Sequence, residues 1–161
     1  MTKAQFKEIF DGYFDAVRNY IYYRSGDQEL ATDIAQDTFL KFWEKQFKLE
    51  NTNIKALLFK MAGDAFVSSY RKQQTEQNFK LSFTPSASFE NPEEKLNYEE
   101  LKSKYENTLR RLPEKQRAVF LMSRMDGMKY HEIAQALNLS VKAVEKRMKF
   151  ALDAFKKVLN R

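Results

Sequence analysis

An all-α fold of two small helical domains is what this sequence predicts, on three observations. Wherever apolar residues recur, they do so at spacings near 3.6. Gly and Pro are scarce, four and three in 161 residues, so little punctuates the helices. A polar stretch at 73–93, carrying Thr84-Pro85-Ser86 and Asn91-Pro92, reads as a flexible linker between one domain at 1–72 and another at 94–161. With 43% hydrophobic and 14% aromatic residues, both halves can build packed cores.

The first helix follows from the stripe Phe6, Ile9, Phe10, Tyr13, Phe14, Val17, Tyr20 and Ile21, stopped by Ser25-Gly26-Asp27. A second runs from Gln28 to Phe47. Asn51 to Asn53 divide it from a third at Ile54 to Lys72, with Leu58, Met61, Ala62, Ala65 and Ser69 on one side. Three such helices make a compact domain. Beyond the linker, Leu96, Leu101, Tyr105 and Leu109 give helical periodicity over Glu94 to Arg111. Pro113 and Glu114 suit the start of the next helix, whose stripe is Val119, Phe120, Met122 and Met125 and which ends at the turn Asp126-Gly127. A short helix at Tyr130 to Leu137 turns Ile133, Ala134 and Leu137 inward and is broken by Asn138-Leu139-Ser140. Ser140 is a good N-cap for a last helix with the stripe Val144, Met148, Ala151, Leu152, Phe155 and Leu159.

A short helix, a tight turn and a long capped helix form a helix-turn-helix, which sets a helix N-terminus in the major groove of DNA. The charge agrees. Residues 140–161 carry seven Lys or Arg against Glu145 and Asp153, a lopsidedness that a merely solvated helix lacks. Net charge is +1 over 1–72, −2 over 73–93 and +7 over 94–161, so the polyanion-binding half is the C-terminal one.

The second helix carries more apolar surface than one stripe needs. Ala31, Ala35, Phe39 and Phe42 cluster on one side, while Leu40, Phe47 and in part Trp43 lie away from it beside Asp33, Gln36, Asp37 and Glu44. Acidic and apolar residues on one face suit docking to a basic partner around an aromatic anchor.

Catalysis finds no support. Cysteine is absent, so there are no disulfides, thiolate metal sites or thiol nucleophiles. His131 is the only histidine, and Gln135 stands one turn on, where a two-histidine zinc motif needs its partner. Asp33 and Asp37 lack the further ligands of a bundle metal site. Neither metal nor cofactor is expected. Met1 to Phe10 lacks the apolar core of a signal peptide, and no apolar run approaches the ~20 residues of a membrane span, so a soluble cytoplasmic protein without membrane insertion is expected.

The segment Asp33-Ile34-Ala35-Gln36-Asp37-Thr38-Phe39-Leu40-Lys41-Phe42-Trp43 resembles region 2.2 of bacterial sigma factors of the extracytoplasmic-function (ECF) group. The run from Leu112-Pro113-Glu114-Lys115-Gln116-Arg117 to Lys146-Arg147 resembles region 4 of the same family. The resemblance implies a promoter-specificity factor for core RNA polymerase. Asp33, Gln36, Asp37, Leu40 and Trp43 would dock on the β′ clamp helices, and the β flap would be a second polymerase contact. Ser140, Val141, Lys142, Glu145, Lys146, Arg147 and Lys149 would read the −35 element, Arg147 and the Ser140 amide on phosphate. The third helix resembles regions 2.3 and 2.4, which melt and read the −10 element, implying Lys60, Asp64, Ser68, Arg71 and Lys72. It departs from the family's Ala-Arg-Asn in having Ala62-Gly63-Asp64. Gly63 costs roughly 1 kcal/mol in mid-helix, and Asp64 puts an acid where DNA is to approach. Phe79, Leu81, Phe83 and Phe89 would thread polymerase channels or pack back on the chain.

ECF relatives are commonly held by an anti-sigma factor, which here would clasp two freely jointed domains through Leu40, Trp43, Met128 and Tyr130. Two other readings stand beside this one: a stand-alone helix-turn-helix regulator, and a sigma-derived interaction protein that has lost promoter melting.

Overall fold

A computed structural model describes residues 1–69 and 90–159. Seven helices carry them: α1 (Lys3–Ser25), α2 (Gln28–Lys45), α3 (Ile54–Ser69), α4 (Pro92–Arg111), α5 (Glu114–Arg124), α6 (Tyr130–Leu137) and α7 (Val141–Leu159). Local chemistry sets most of the boundaries. Thr2 and Gln5 form a capping box at the head of α1, and Gly26 closes it with a left-handed φ of 69°. The Asp27 side chain caps α2, Asn91 caps α4 ahead of Pro92, and Ser140 caps α7 by accepting from the Ala143 amide at 3.1 Å. Gly127 (φ 65°) and Asn138 (φ 53°) take the left-handed conformations that end the units of the helix-turn-helix.

In the N-terminal half α1 lies against α2 and α3. Phe6, Phe10 and Phe14 meet Phe39 with ring centroids 5.2–6.5 Å apart. In the C-terminal half α4 and α5 pack on α7, where Phe155 stacks on both Tyr105 and Phe120.

Several expectations need correction. The buried face of α3 is Leu58, Phe59, Ala62, Gly63 and Phe66; Met61 and Ala65 are only half-buried and Ser69 is in water. Phe47 lies beyond the end of α2 and stacks on the buried Phe42, centroids 5.6 Å apart, so it covers the core rather than the outer face. Met125, just past the end of α5, and Leu159, the last residue of α7, are 41% and 46% exposed.

The two halves are also not freely jointed. α5 packs along the last turns of α1, and α6 faces α3. Arg117 of α5, 1% exposed, donates from Nε to the Tyr23 carbonyl at 2.6 Å and from Nη2 to the Arg24 carbonyl. Its Nη1 reaches the carbonyls of Leu109 at 3.3 Å and Leu112 at 3.2 Å. One guanidinium thus caps the C-termini of α1 and α4 together, meeting orphan carbonyls and the negative end of both dipoles. The residues on which α1, α3, α5 and α6 meet form a seam between the halves.

Candidate nucleic-acid and partner interfaces

On α2, the periodicity that buries Ala31, Ala35, Phe39 and Phe42 leaves Asp33, Gln36, Asp37 and Leu40 in water, Leu40 at 55% exposure. Trp43 differs from its four neighbours. It is half-buried, with its ring 5.2 Å from that of Phe6, so its role is divided between the fold and the face.

On α7, Ser140, Val141, Lys142, Glu145, Lys146 and Lys149 all project into solvent from the first turns. A helix N-terminus flanked by lysines offers its amides and its positive dipole end to phosphate. Arg147 does not join them. It is half-buried, and desolvation lowers its pKa from the ordinary guanidinium value, with Tyr20 opposing the shift and the Arg24 charge adding to it.

On α3, Lys60, Asp64 and Ser68 are exposed, and Lys60 Nζ pairs with Asp64 at 3.1 Å. The acid that opposes DNA is therefore neutralised within its own helix, at the modest strength of an exposed i,i+4 pair. Arg71 and Lys72 lie outside the described residues, as do Phe79, Leu81, Phe83 and Phe89.

Gly63 has a structural reason. A Cβ there would meet Arg24 Nη1 at 3.3 Å and the Tyr20 hydroxyl at 3.5 Å, so the glycine makes room for the Arg24 guanidinium. Arg24, 4% exposed, stacks on Phe66 at 4.6 Å, donates from Nη1 to the Tyr20 hydroxyl at 3.0 Å, and pairs through Nη2 with Glu114 at 2.8 Å across the seam. At the other end of α5, the Tyr23 hydroxyl donates to Asp126 at 2.7 Å. Asp126 keeps an exposed edge, but desolvation of its carboxyl raises its pKa. Hydrogen bonds from Tyr23 and Asn19 and the Lys55 charge offset only part of this. Burial likewise pushes the Tyr23 phenol up.

Sequence reasoning missed the seam, although a signal was present. Arg24 continues the stripe Val17, Tyr20, Ile21 at the next i+3 position, and Arg117 stands one turn before the buried Phe120 and Leu121. A charge on the apolar stripe of a helix marks a specific buried partner.

A second surface carried no sequence signal. A groove of about 500 Å3 opens between the end of α4, the start of α5 and the last turns of α7. Its floor holds Leu112, Ala154, Val158 and the half-exposed Phe150, and Lys104, Arg111 and Lys157 line its rim without any acid among the lining residues. Such a groove fits an acidic or neutral apolar segment. Among the described residues no group of three or more His, Cys, Asp or Glu is placed to hold a metal, and no helix is long and apolar enough to cross a membrane.

The family model for sigma-70 region 2 matches residues 9–76, and that for sigma-70 region 4 matches residues 102–155. The ferric citrate uptake sigma factor FecI of Escherichia coli is 30% identical over 125 residues, which span 76% of this chain and 72% of that protein. The ECF RNA polymerase sigma factor SigW of Bacillus subtilis is 24% identical over 165 residues, spanning 96% and 88% of the two chains. Among solved structures, the sigma factor RpoE in complex with the anti-sigma factor NepR from Bartonella quintana aligns with a TM-score of 0.61 at 25% identity, over 97% of each chain. With both regions matched in order and a helical architecture shared nearly end to end, the chain belongs to the sigma-70 family, in its ECF group.

Proposed function

We propose that this protein binds core RNA polymerase and directs it to a defined set of promoters, with three helices dividing the work. The observation that carries this reading is the pairing of two unlike open faces on one chain: an acidic, apolar face on α2 and a basic helix N-terminus on α7. A stand-alone DNA-binding regulator has no use for the first. An interaction protein that has lost promoter melting would rest on Gly63 and Asp64, yet Gly63 makes room for Arg24 and Asp64 is paired with Lys60.

In this reading Asp33, Gln36, Asp37 and Leu40 meet the β′ clamp helices, with Trp43 stiffening the face from beneath through Phe6. The basic groove at Phe150 receives the β flap. α7 enters the major groove at the −35 element. Lys142, Glu145, Lys146 and Lys149 face base edges and phosphates, and the Ser140 end lies on the backbone. α3 meets the separated strand at −10 through Lys60 and the residues that follow it. Arg147 reaches phosphate only after leaving the seam. Like the Bartonella protein crystallised with NepR, this chain is a target for an anti-sigma factor, which would act by holding or covering these faces. Site residues, domain limits and a cytoplasmic location are parts of this reading.

Run-off transcription tests it, using purified core enzyme and a genomic DNA library. Discrete start sites that depend on this protein are expected, and their loss is expected with Leu40→Glu. Transcription indistinguishable from core enzyme alone would overturn the assignment.

A further inference from the structure

Between α3 and α6 lies a cleft of about 310 Å3 with Tyr20, Arg24, Gly63 and the Lys60–Asp64 pair on one wall and Lys115 and Asn138 on the other. Its floor is the Arg24 guanidinium, and the hydrogen bonding there is incomplete. Nη1 serves Tyr20 and Nη2 serves Glu114, while Nε is buried with no hydrogen-bond partner. An unpartnered donor on a buried cation is costly. The side of a guanidinium formed by Nε and Nη2 is the fork that takes two oxygens of a carboxylate or phosphate. Here the Glu114 carboxylate occupies only half of it.

We infer that Arg24 is a strand-binding residue of the −10 surface and that Glu114 holds its phosphate site shut, as a carboxylate stand-in carried by the other domain. This rests on the reading of α3 as the strand-reading helix. Withdrawal of α5 and α6 would leave Arg24 on the α3 surface, with its Nη1 edge against Gly63 and Tyr20, its Nε and Nη2 edge freed of Glu114, and Lys60 nearby in its pair with Asp64. A backbone phosphate of single-stranded DNA then engages both Nε and Nη2, which Glu114 does not. Carboxylate and phosphate compete for one guanidinium, so closure of the seam and strand binding exclude each other.

The test uses the full chain and a fluorescent oligothymidylate, with affinity read by anisotropy against salt. Glu114→Gln is expected to tighten binding at least five-fold in 0.1 M salt. It should also steepen the salt slope by about 0.7, the value for one added phosphate contact on a single strand. Arg24→Gln in that background should remove the whole gain. Should that double variant not fold, as judged by circular dichroism, Arg24→Lys replaces it and should lose at least half the gain. Unchanged affinity of Glu114→Gln overturns the inference, as does a gain that survives the change at Arg24. Lys60→Gln in the Glu114→Gln background separates the two levels. If it weakens binding while Arg24 variants do not, only the role of Arg24 fails. If neither residue matters, the strand-reading role of α3 fails with it.

Discussion

The outer faces of α2 and α3 belong to the same three-helix domain, yet the rest of the chain treats them oppositely. Asp33, Gln36, Asp37 and Leu40 on α2 stand in water, whereas α3 looks across a cleft at α6, with Arg24 at the bottom sealed by Glu114. The exposed side of α7 resembles α2 in being open, apart from Arg147, which is drawn into the seam. Under the proposed function, polymerase docking and major-groove recognition can therefore begin on the closed protein. If Arg24 binds the melted strand as inferred, that contact waits for the seam to open. An ordered sequence follows without any further device: only a partner that binds the open form better than the closed one shifts the balance, and core polymerase is placed to be that partner.

The comparison is broken most severely at Arg117. Arg117→Met leaves carbonyls at the ends of α1 and α4 buried without donors, which is expected to cost more than about 3 kcal/mol. Chemical denaturation measures the loss. The cleft at α3 should open as well, so amide hydrogen exchange at the end of α1 and along α3 should accelerate; a loss below about 1 kcal/mol, the net worth of a single hydrogen bond, would show that the cap is dispensable. Next in size is the α2 face. Leu40→Glu together with Asp37→Lys should abolish co-purification with core polymerase, since a central anchor contributes about 2 kcal/mol or more. Thermal melting should stay unchanged, as both side chains are exposed. If polymerase is retained, α2 is not the docking face. Glu145→Ala on α7 should alter sequence preference by about 1–3 kcal/mol at one base position and leave nonspecific affinity nearly intact. A uniform loss across sequences would move base reading elsewhere on the helix.

Most of the helices were legible because their signals are local. The Ser25-Gly26-Asp27 stop, the Ser140 cap and the Asp126-Gly127 turn each act within a few residues, and the structure places all three as the sequence implied. The α2 face was legible for a related reason, an excess of apolar residues over one stripe. The seam was not, because Arg24 and Arg117 owe their burial to groups 90–94 residues away in the chain. Nothing in α2 itself reveals that Phe6 packs on the half-buried Trp43, and the α3 sequence alone does not show Arg24 beside Gly63.

Acidity sharpens the contrast at the far end of α5. The Asp126 carboxyl, partly desolvated beyond the end of α5, holds its proton at a higher pH in the folded protein than in the unfolded chain. Between the ordinary carboxyl value, ~3.9, and the native pKa, the folded state therefore binds more protons than the unfolded chain. This group adds stability as pH falls through that window and withdraws it as pH rises past the native pKa. Asp126→Asn keeps an oxygen for the Tyr23 hydroxyl and carries no charge. The melting temperature of this variant should exceed that of the wild-type protein near neutral pH, with the gap closing as the pH is lowered toward the ordinary carboxyl range. A gap independent of pH would mean that the carboxyl does not titrate within the seam.

Two glycines in helix interiors give the smallest effect and the cleanest comparison. Gly12 lies in the middle of α1 and Gly63 in the middle of α3, and each carries the same backbone-entropy cost against alanine, about 0.5–1 kcal/mol. Their surroundings differ. A Cβ at Gly12 would meet nothing within 4 Å, whereas one at Gly63 would press on Arg24 Nη1 at 3.3 Å. Gly12→Ala should therefore raise the melting temperature by about 2–3 °C, as expected for a chain of this size. Gly63→Ala should give no rise, because the helix gain is offset where Arg24 must shift and strain its pairing with Glu114. Combining Gly63→Ala with Glu114→Gln, which already frees the guanidinium, should recover the missing degrees. Equal stabilisation at both glycines would show that Arg24 yields to a methyl group without cost, and the seam would then be softer than its hydrogen bonds imply.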